Sequence, residues 1–538
     1  MGTRFKGLFY IGLSLLLIMA FSLPASASES SHDISTPTPM NQQEDPGLSG
    51  EIGNGNDETP GQWYLGDTPP DMDDDSPVLL FVHGLNSKAQ VWWEDNDMYE
   101  TAYEAGYQTT FVQLHDVGGE AADMWRNGEL LSRTIQNISE YFDDRSITIV
   151  AHSKGGVDSQ TALSTFDAWK YVDNVITLSS PHHGTQLADL AYSFWAGWLA
   201  NLIGMQDDGT YVMQTGYMDD FRSTMNQQPK AYYNDYFTMG GTEWGSPFSS
   251  TWFGGIYLST FGDNDGVVPS DSSALERGQE IAVGNWDHTT IRTGETFPFF
   301  ENKLTGTQNK QNTALKDEKN GQPSSTNQWV HGGELVQGEN EGVTVSVEEN
   351  VDKITFDLMT NEGLEDVTLI SPDGKRVDPE LTTADTEKND YFGDATHHAI
   401  TLEKPESGEW EIQMTMANPG AYLLTADYHT DTEQKLYYHS AANQKMQATG
   451  NKHTLDYQLE VDSQQVNKES LEATYHVTEA GDTDQTKTWT TKGSNLSSEL
   501  SFAKPERVYN ITIDVKGETL QGAPFQRTII DSVYTGED

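Results

Sequence analysis

The chain has 538 residues, no cysteine, and 83 acidic against 31 basic side chains. That length suits two or three domains of roughly 100 to 300 residues each, and the missing cysteines exclude a disulfide scaffold, a thiol nucleophile and a thiolate metal site. No Lys or Arg stands between Lys6 and Lys88 and the acidity runs along the whole chain, so nucleic acid and anionic membranes are poor partners and the charge reads as a solubility adaptation to a saline medium.

Arg4 and Lys6, the apolar run over residues 7–23 and the small residues Ala25-Ser26-Ala27 predict a signal peptide over residues 1–27, and hence a secreted, extracellular protein. No later stretch offers the roughly 18 consecutive apolar residues of a membrane helix, so no stable membrane insertion is expected. Residues 28–75 are rich in Ser, Pro, Gly, Asn and acids and read as a mostly disordered leader, with Trp63-Tyr64-Leu65 docking locally.

From Pro77 the texture changes. Apolar runs at 78–82, 109–114, 147–151, 175–178 and 256–261 alternate with segments of helical period, which predicts an α/β domain with a mostly parallel sheet over residues 76–304. Leu131, Ile135, Ile138 and Phe142 form one apolar helix face that would cover the sheet. The irregular, aromatic stretch from Tyr192 to Thr251 reads as an insertion above it. Within that stretch, residues 190–205 predict a helix apolar over a wide face, suited either to core burial or to a lid.

Residues 305–328 nearly lack large apolar side chains and read as a linker. Period-two runs such as Val343-Val345-Val347 and Trp410-Ile412-Met414, separated by turns such as Pro372-Asp373-Gly374, then predict a β-sandwich over 329–445. A second set, including Leu455-Tyr457-Leu459-Val461, predicts another over 446–538.

The chemistry concentrates where a buried strand, Ile147-Thr148-Ile149-Val150, turns through Ala151-His152-Ser153-Lys154-Gly155-Gly156 into a helix. A Ser at such a bend projects its hydroxyl above the sheet, and small neighbours let strand and helix approach. Upstream, Leu80-Phe81-Val82-His83-Gly84-Leu85 supplies a strand running into a loop, so the amides of Leu85 and Lys154 can form an oxyanion hole. The Lys154 side chain is expected in solvent.

Downstream, Asp263 and Asp265 share a carboxylate loop expected at the end of a strand. Of His83, His115, His152, His182, His183 and His288, only His288 follows every plausible acid in the order Ser, acid, His. His83 and His152 are expected to orient loops. His182-His183 could be half of a metal site, but no matching carboxylate cluster accompanies them.

Five segments, His83-Gly84-Leu85-Asn86-Ser87, Ala151 to Gly156, Ser180 to Thr185, Asp263 to Pro269 and Trp286-Asp287-His288, occur in an order and spacing that resemble the bacterial true lipases. These are secreted triacylglycerol hydrolases of the α/β-hydrolase superfamily, and the resemblance covers about residues 77 to 300. It implies an α/β-hydrolase fold, a carboxylic-ester hydrolase, and a triad of Ser153, Asp265 and His288 working through an acyl-enzyme. Ala151 resembles the AxSxG box of Bacillus-type members. Related Pseudomonas and Burkholderia lipases carry a calcium-binding Asp two residues after the His, where this chain has Thr290, so neither a metal nor another cofactor is expected.

The implied partner is a neutral lipid or another water-insoluble ester. A polyester depolymerase, such as one acting on polyhydroxyalkanoate, would use the same triad, and a surface-binding protein with an inactive hydrolase domain is the alternative outside catalysis. In the tail, Ser407-Gly408-Glu409-Trp410 and Pro419-Gly420-Ala421-Tyr422 resemble β-sandwich domains appended to secreted bacterial proteases. That resemblance fits either stabilisation of the chain or attachment to an insoluble substrate.

Overall fold

An eight-stranded mixed sheet carries the first half of the chain. Its strands are β1 (Thr38–Met40), β2 (Trp63–Leu65), β3 (Val78–Val82), β4 (Thr109–Val112), β5 (Ile147–His152), β6 (Val172–Leu178), β7 (Asp235–Gly241) and β8 (Gln279–Gly284), in spatial order β1-β2-β4-β3-β5-β6-β7-β8. All pairings from β4 to β8 are parallel, and β1 and β2 add antiparallel strands at one edge. This computed structural model describes residues 34–40, 59–305 apart from 74, 118–120 and 248, and 324–536 apart from short stretches within 339–464. The signal-peptide segment 1–27 and most of the linker, 306–323, lie outside the described residues.

β3 and β5 are buried at every position, as strands covered on both faces must be. Helices α1 (Met98–Glu104), α2 (Met124–Tyr141) and α3 (Lys154–Ser164) follow β3, β4 and β5. The α2 helix starts where the Asp123 side chain accepts the Trp125 and Arg126 N–H groups, and it packs Leu131, Ile135 and Ile138 onto the sheet. Between β6 and the acid loop come α4 (Gln186–Ala191), α5 (Gly197–Leu202), α6 (Asp208–Val212), α7 (Thr215–Met225) and α8 (Ser250–Leu258).

Several expectations need correction. Part of the leader is structured, since Thr38–Met40 and Trp63–Leu65 pair into the sheet edge; Trp63 is buried there beside Val112 and Leu114. Residues 256–261 are helical, not a strand. The Ser249 hydroxyl caps α8 at 3.2 Å from the Trp252 N–H, and a Cβ on Gly254 would stand 2.0 Å from the Gly266 carbonyl, so capping and close approach override the β-forming aromatics. The strands β7 and β8 replace it in the sheet.

The tail is all β. Strands within residues 328–429 form a five-stranded and a four-stranded sheet around Phe356, Leu424, Ile412 and Trp410. The later strands build a second core around Tyr457, Tyr475, Ile511 and Phe525. This second module begins at Leu436–Tyr438, not near residue 446, and it recruits Ser324–Thr326 from the expected linker as a partner strand. Buried Arg527 ties the modules together by pairing with Glu348 and stacking 4.1 Å from the Tyr428 ring.

The stretch expected as an insertion, Tyr192 to Thr251, contributes the sheet strand β7 as well as helices, and the tail packs on residues before, within and after it. Phe194 stacks on His476 and Phe253 on His397, each at 4.0 Å between ring centres, and Trp195 stacks on His331 at 4.3 Å. The Trp195 indole N–H donates to Asp514 at 2.9 Å, and the Ser532 hydroxyl donates to Asp189 at 2.6 Å. Leu190, Tyr192 and Leu199 share a core with Val330, Met359, Leu423 and Ile530 of the tail. The stretch 190–205 is not the one helix expected: α4 ends at Ala191 and α5 spans Gly197–Leu202, and the tail covers Leu190, Tyr192 and Leu199 while Trp198 and Leu202 stay 45% and 57% exposed.

Candidate active site

The turn from β5 to α3 puts Ser153 at φ 52° and ψ −137°. A side chain in that conformation is strained by about 1–3 kcal/mol, and the surroundings hold it there. The Ser153 N–H donates to the Leu178 carbonyl at 3.0 Å. A Cβ on Gly155 would meet the His83 carbonyl at 2.3 Å, and one on Gly156 would meet the Ser180 hydroxyl at 2.1 Å. The elbow therefore demands small residues there for a steric reason.

His288 links the serine to the acid loop. Its Nε2 lies 3.0 Å from Ser153 Oγ and its Nδ1 lies 2.7 Å from Asp265 Oδ2. The His288 N–H also donates to the Asp265 carbonyl at 2.9 Å, while its own carbonyl accepts from His152 Nε2 at 2.8 Å. Burial drives the His152 pKa well below the ordinary imidazole value, so His152 is a neutral donor that fixes the His288 backbone.

Asp265 is fully buried. Its Oδ1 accepts the Val267 and Val268 N–H groups at 2.9 and 2.7 Å, which leaves Oδ2 for the imidazole. Asp263 is exposed, and only its carbonyl takes part in the loop, accepting the Ser270 N–H at 2.8 Å. The loop itself follows α8, where a strand end was expected. Gly241 at the end of β7 nonetheless lies beside it, since a Cβ there would stand 2.8 Å from Asp265 Cβ.

Gly84 brings the end of β3 against the elbow, because a Cβ on it would lie 2.6 Å from Ser153 Cβ. Gly84 thus holds the strand end that leads into Leu85 against Ser153, and Lys154 opens α3 directly after the serine. His83 is buried, accepts the Leu114 N–H at Nε2 at 3.0 Å and bonds the Gly84 carbonyl through Nδ1 at 2.9 Å. Burial lowers its pKa, so it orients the two loops as a neutral ring.

The Lys154 side chain is buried and paired with Asp116 and Asp158, contrary to the expected solvation. A signal for this was available, because Lys154 and Asp158 stand four residues apart on one helix. His182 is buried with Nε2 3.3 Å from the Thr177 hydroxyl, and among the described residues no three His, Asp or Glu side chains are grouped to hold a metal. Thr290 accepts the Asp287 N–H at 2.9 Å. Ser153 and His288 are only 8% and 9% exposed.

The PGAP1-like alpha/beta domain family matches residues 115–197, the stretch that contains the elbow. No curated protein matches the chain in sequence. Among solved structures, Bacillus licheniformis lipase BlEst2 in its propeptide form is similar at 33% identity and a TM-score of 0.73, covering 89% of this chain and 98% of that one. The mature form of the same lipase is similar at 43% identity and a TM-score of 0.44, covering 46% of this chain and 100% of that one. A likeness that runs nearly the full length of the propeptide form, at this identity, takes in the sheet, the insertion and the all-β tail together: the chain belongs to the lipase-like α/β hydrolases represented by BlEst2.

Proposed function

We propose that the chain is a secreted serine carboxylic-ester hydrolase of the AxSxG lipase type, acting on acylglycerols through Ser153, His288 and Asp265. The observation that carries this is the hydrogen-bonded series from Ser153 Oγ to His288 Nε2 and from His288 Nδ1 to Asp265 Oδ2. In the reaction, Ser153 Oγ attacks the ester carbonyl as its proton passes to His288 Nε2. Asp265 holds the imidazole in the tautomer that can accept that proton and offsets the positive charge. The Leu85 and Lys154 amides receive the developing oxyanion. His288 then protonates the leaving alcohol, and water, activated by the same imidazole, releases the fatty acid from Ser153.

A neutral ester suits a chain with 83 acidic and 31 basic residues, because anionic substrates would be repelled. The test is labelling by a serine-directed fluorophosphonate, followed by rates on emulsified long-chain triacylglycerol and on polyhydroxyalkanoate. The expected result is a single labelled peptide containing Ser153 and turnover of the triacylglycerol. Absence of label would sink the triad, and preference for the polyester would move the assignment to a depolymerase.

The tail belongs to this reading. The similar Bacillus licheniformis lipase is in a propeptide form, and in this chain the two β modules between them grip α4, α5, α7 and α8 rather than standing apart. A Cβ on Gly216 of α7 would stand 2.6 Å from the Val533 backbone, so helix and tail strand meet main chain to main chain. The tail acts as a removable segment that keeps the insertion closed. Cutting the chain within 306–323 and stripping off the tail is expected to raise hydrolysis of emulsified triacylglycerol by about tenfold or more, the scale of a site freed from an equilibrium held roughly 90% closed. Equal rates before and after removal would exclude this role.

A further inference from the structure

The side chain next to the nucleophile does not reach water. Lys154 and Asp116 are each 1% exposed and Asp158 is fully buried. Lys154 Nζ lies 3.1 and 3.0 Å from the two Asp158 carboxylate oxygens and 3.6 Å from Asp116 Oδ1. Asn127 of α2 completes the cluster, donating through Nδ2 to Asp116 and, at 3.0 Å, to Asp158, while its Oδ1 accepts the His115 N–H at 3.0 Å. Burial opposes charge on Lys154, but Asp116 and Asp158 outweigh it and raise its pKa. Burial also raises the Asp158 pKa against the pull of Lys154.

Neither helix physics nor stability asks for a cation at this position. The start of a helix is the positive end of its dipole, where a lysine is disfavoured. A buried ion pair is, in general, no more stabilising than apolar side chains of similar volume. What the cluster supplies is a fixed geometry. Asp116 stands two residues after Leu114, whose N–H binds His83 Nε2, and His83 leads directly into Gly84 and Leu85. The short segment Leu114–Asp116 thus holds one amide donor through His83 and the other through Lys154.

We infer that Lys154 is a positioning residue for the oxyanion hole: its ammonium, bound to Asp116 and Asp158, locks the start of α3 to the segment that also anchors the Leu85 strand end. Its side chain touches neither substrate nor the reacting atoms. The inference rests on the triad reading above and deepens it, because only an oxyanion site needs these two amides held in register.

The experiment compares Lys154→Met, the charge-balanced triple variant Lys154→Met/Asp116→Asn/Asp158→Asn, and Ser153→Ala, all in the intact chain. Lys154→Met is expected to lower kcat by about 10- to 100-fold with KM within about threefold, because donors displaced by fractions of an ångström fail mainly in the transition state. Acylation by the fluorophosphonate, which builds charge on the same oxygen, should slow by the same factor. The triple variant, which removes the buried charges together, should recover the Tm but not kcat. Wild-type kcat in Lys154→Met, or recovery of kcat along with Tm in the triple variant, would reduce Lys154 to charge balance and overturn the inference. If Lys154→Met does not fold, the triple variant decides by itself. Hydrolysis retained by Ser153→Ala would overturn the triad instead, whereas an inactive Ser153→Ala beside a fully active Lys154→Met overturns only the positioning role.

Discussion

Replacing Ser153 by alanine is expected to lower kcat on a soluble ester by about a millionfold, the scale seen when a serine-triad nucleophile is lost. The side chain is 8% exposed and its hydroxyl bonds only His288 Nε2 among the described residues, so alanine leaves the packing intact. It also tolerates the φ of 52° no worse than serine does. The Tm should therefore stay within a few degrees while the rate falls to the level left by binding and the oxyanion amides. Initial rates with a chromogenic ester, beside a melting curve, check both parts. A variant that keeps more than a few per cent of the activity would mean that another group attacks the ester.

The second large effect distinguishes the two acids. Asp265→Asn is expected to lower kcat by about 10,000-fold, and Asp263→Asn to leave it within about twofold. The reason is tautomeric. With Asn at 265, the side-chain oxygen can still accept the Val267 and Val268 N–H groups, which bond Oδ1 now. The amide nitrogen then faces His288 Nδ1, where Oδ2 stood at 2.7 Å. It donates, so Nδ1 must accept, the ring proton moves to Nε2, and His288 can no longer take the Ser153 proton. Asp263 has its side chain in solvent, and no such consequence follows. Equal losses in both variants would mean that loop collapse, not the tautomer, sets the rate.

Local chemistry made much of the site legible. Ser153 was recognisable because a tight strand-to-helix bend needs Ala151, Gly155 and Gly156, and those residues are adjacent in sequence. His288 followed from chain order alone. The choice between Asp263 and Asp265 was not local: both sit on one loop, and only folding buries one carboxylate under His288 while leaving the other in water. The burial of Lys154 is not legible in the sequence, because exposure is a property of what packs over a residue, and Asp116 and Asn127 arrive from 38 and 27 positions earlier in the chain.

The sheet divides in the same way. β3 and β5 announce themselves as continuous apolar runs, since both of their faces are covered. β8, at the sheet's far edge, has only half-buried and exposed positions, and its sequence carries too weak a pattern to mark a strand. The aromatic residues of α8 mimic a strand, while the Ser249 cap and the close approach of Gly254 to Gly266 favour the helix that forms.

By itself the amino-acid sequence determined the α/β class of the first half, the all-β class of the tail, and the candidate serine and histidine of the site, because periodicity, tight turns and chain order are short-range properties. Tertiary structure showed which carboxylate bonds the imidazole, a choice the residues left open between Asp263 and Asp265 and only the resemblance made, that a lysine lies buried beside the serine, and that the tail packs on Trp195, Phe194, Phe253 and Asp189. Each of these depends on groups distant in sequence sharing one dry space, where burial and partner geometry, not residue type, set charge, exposure and contact.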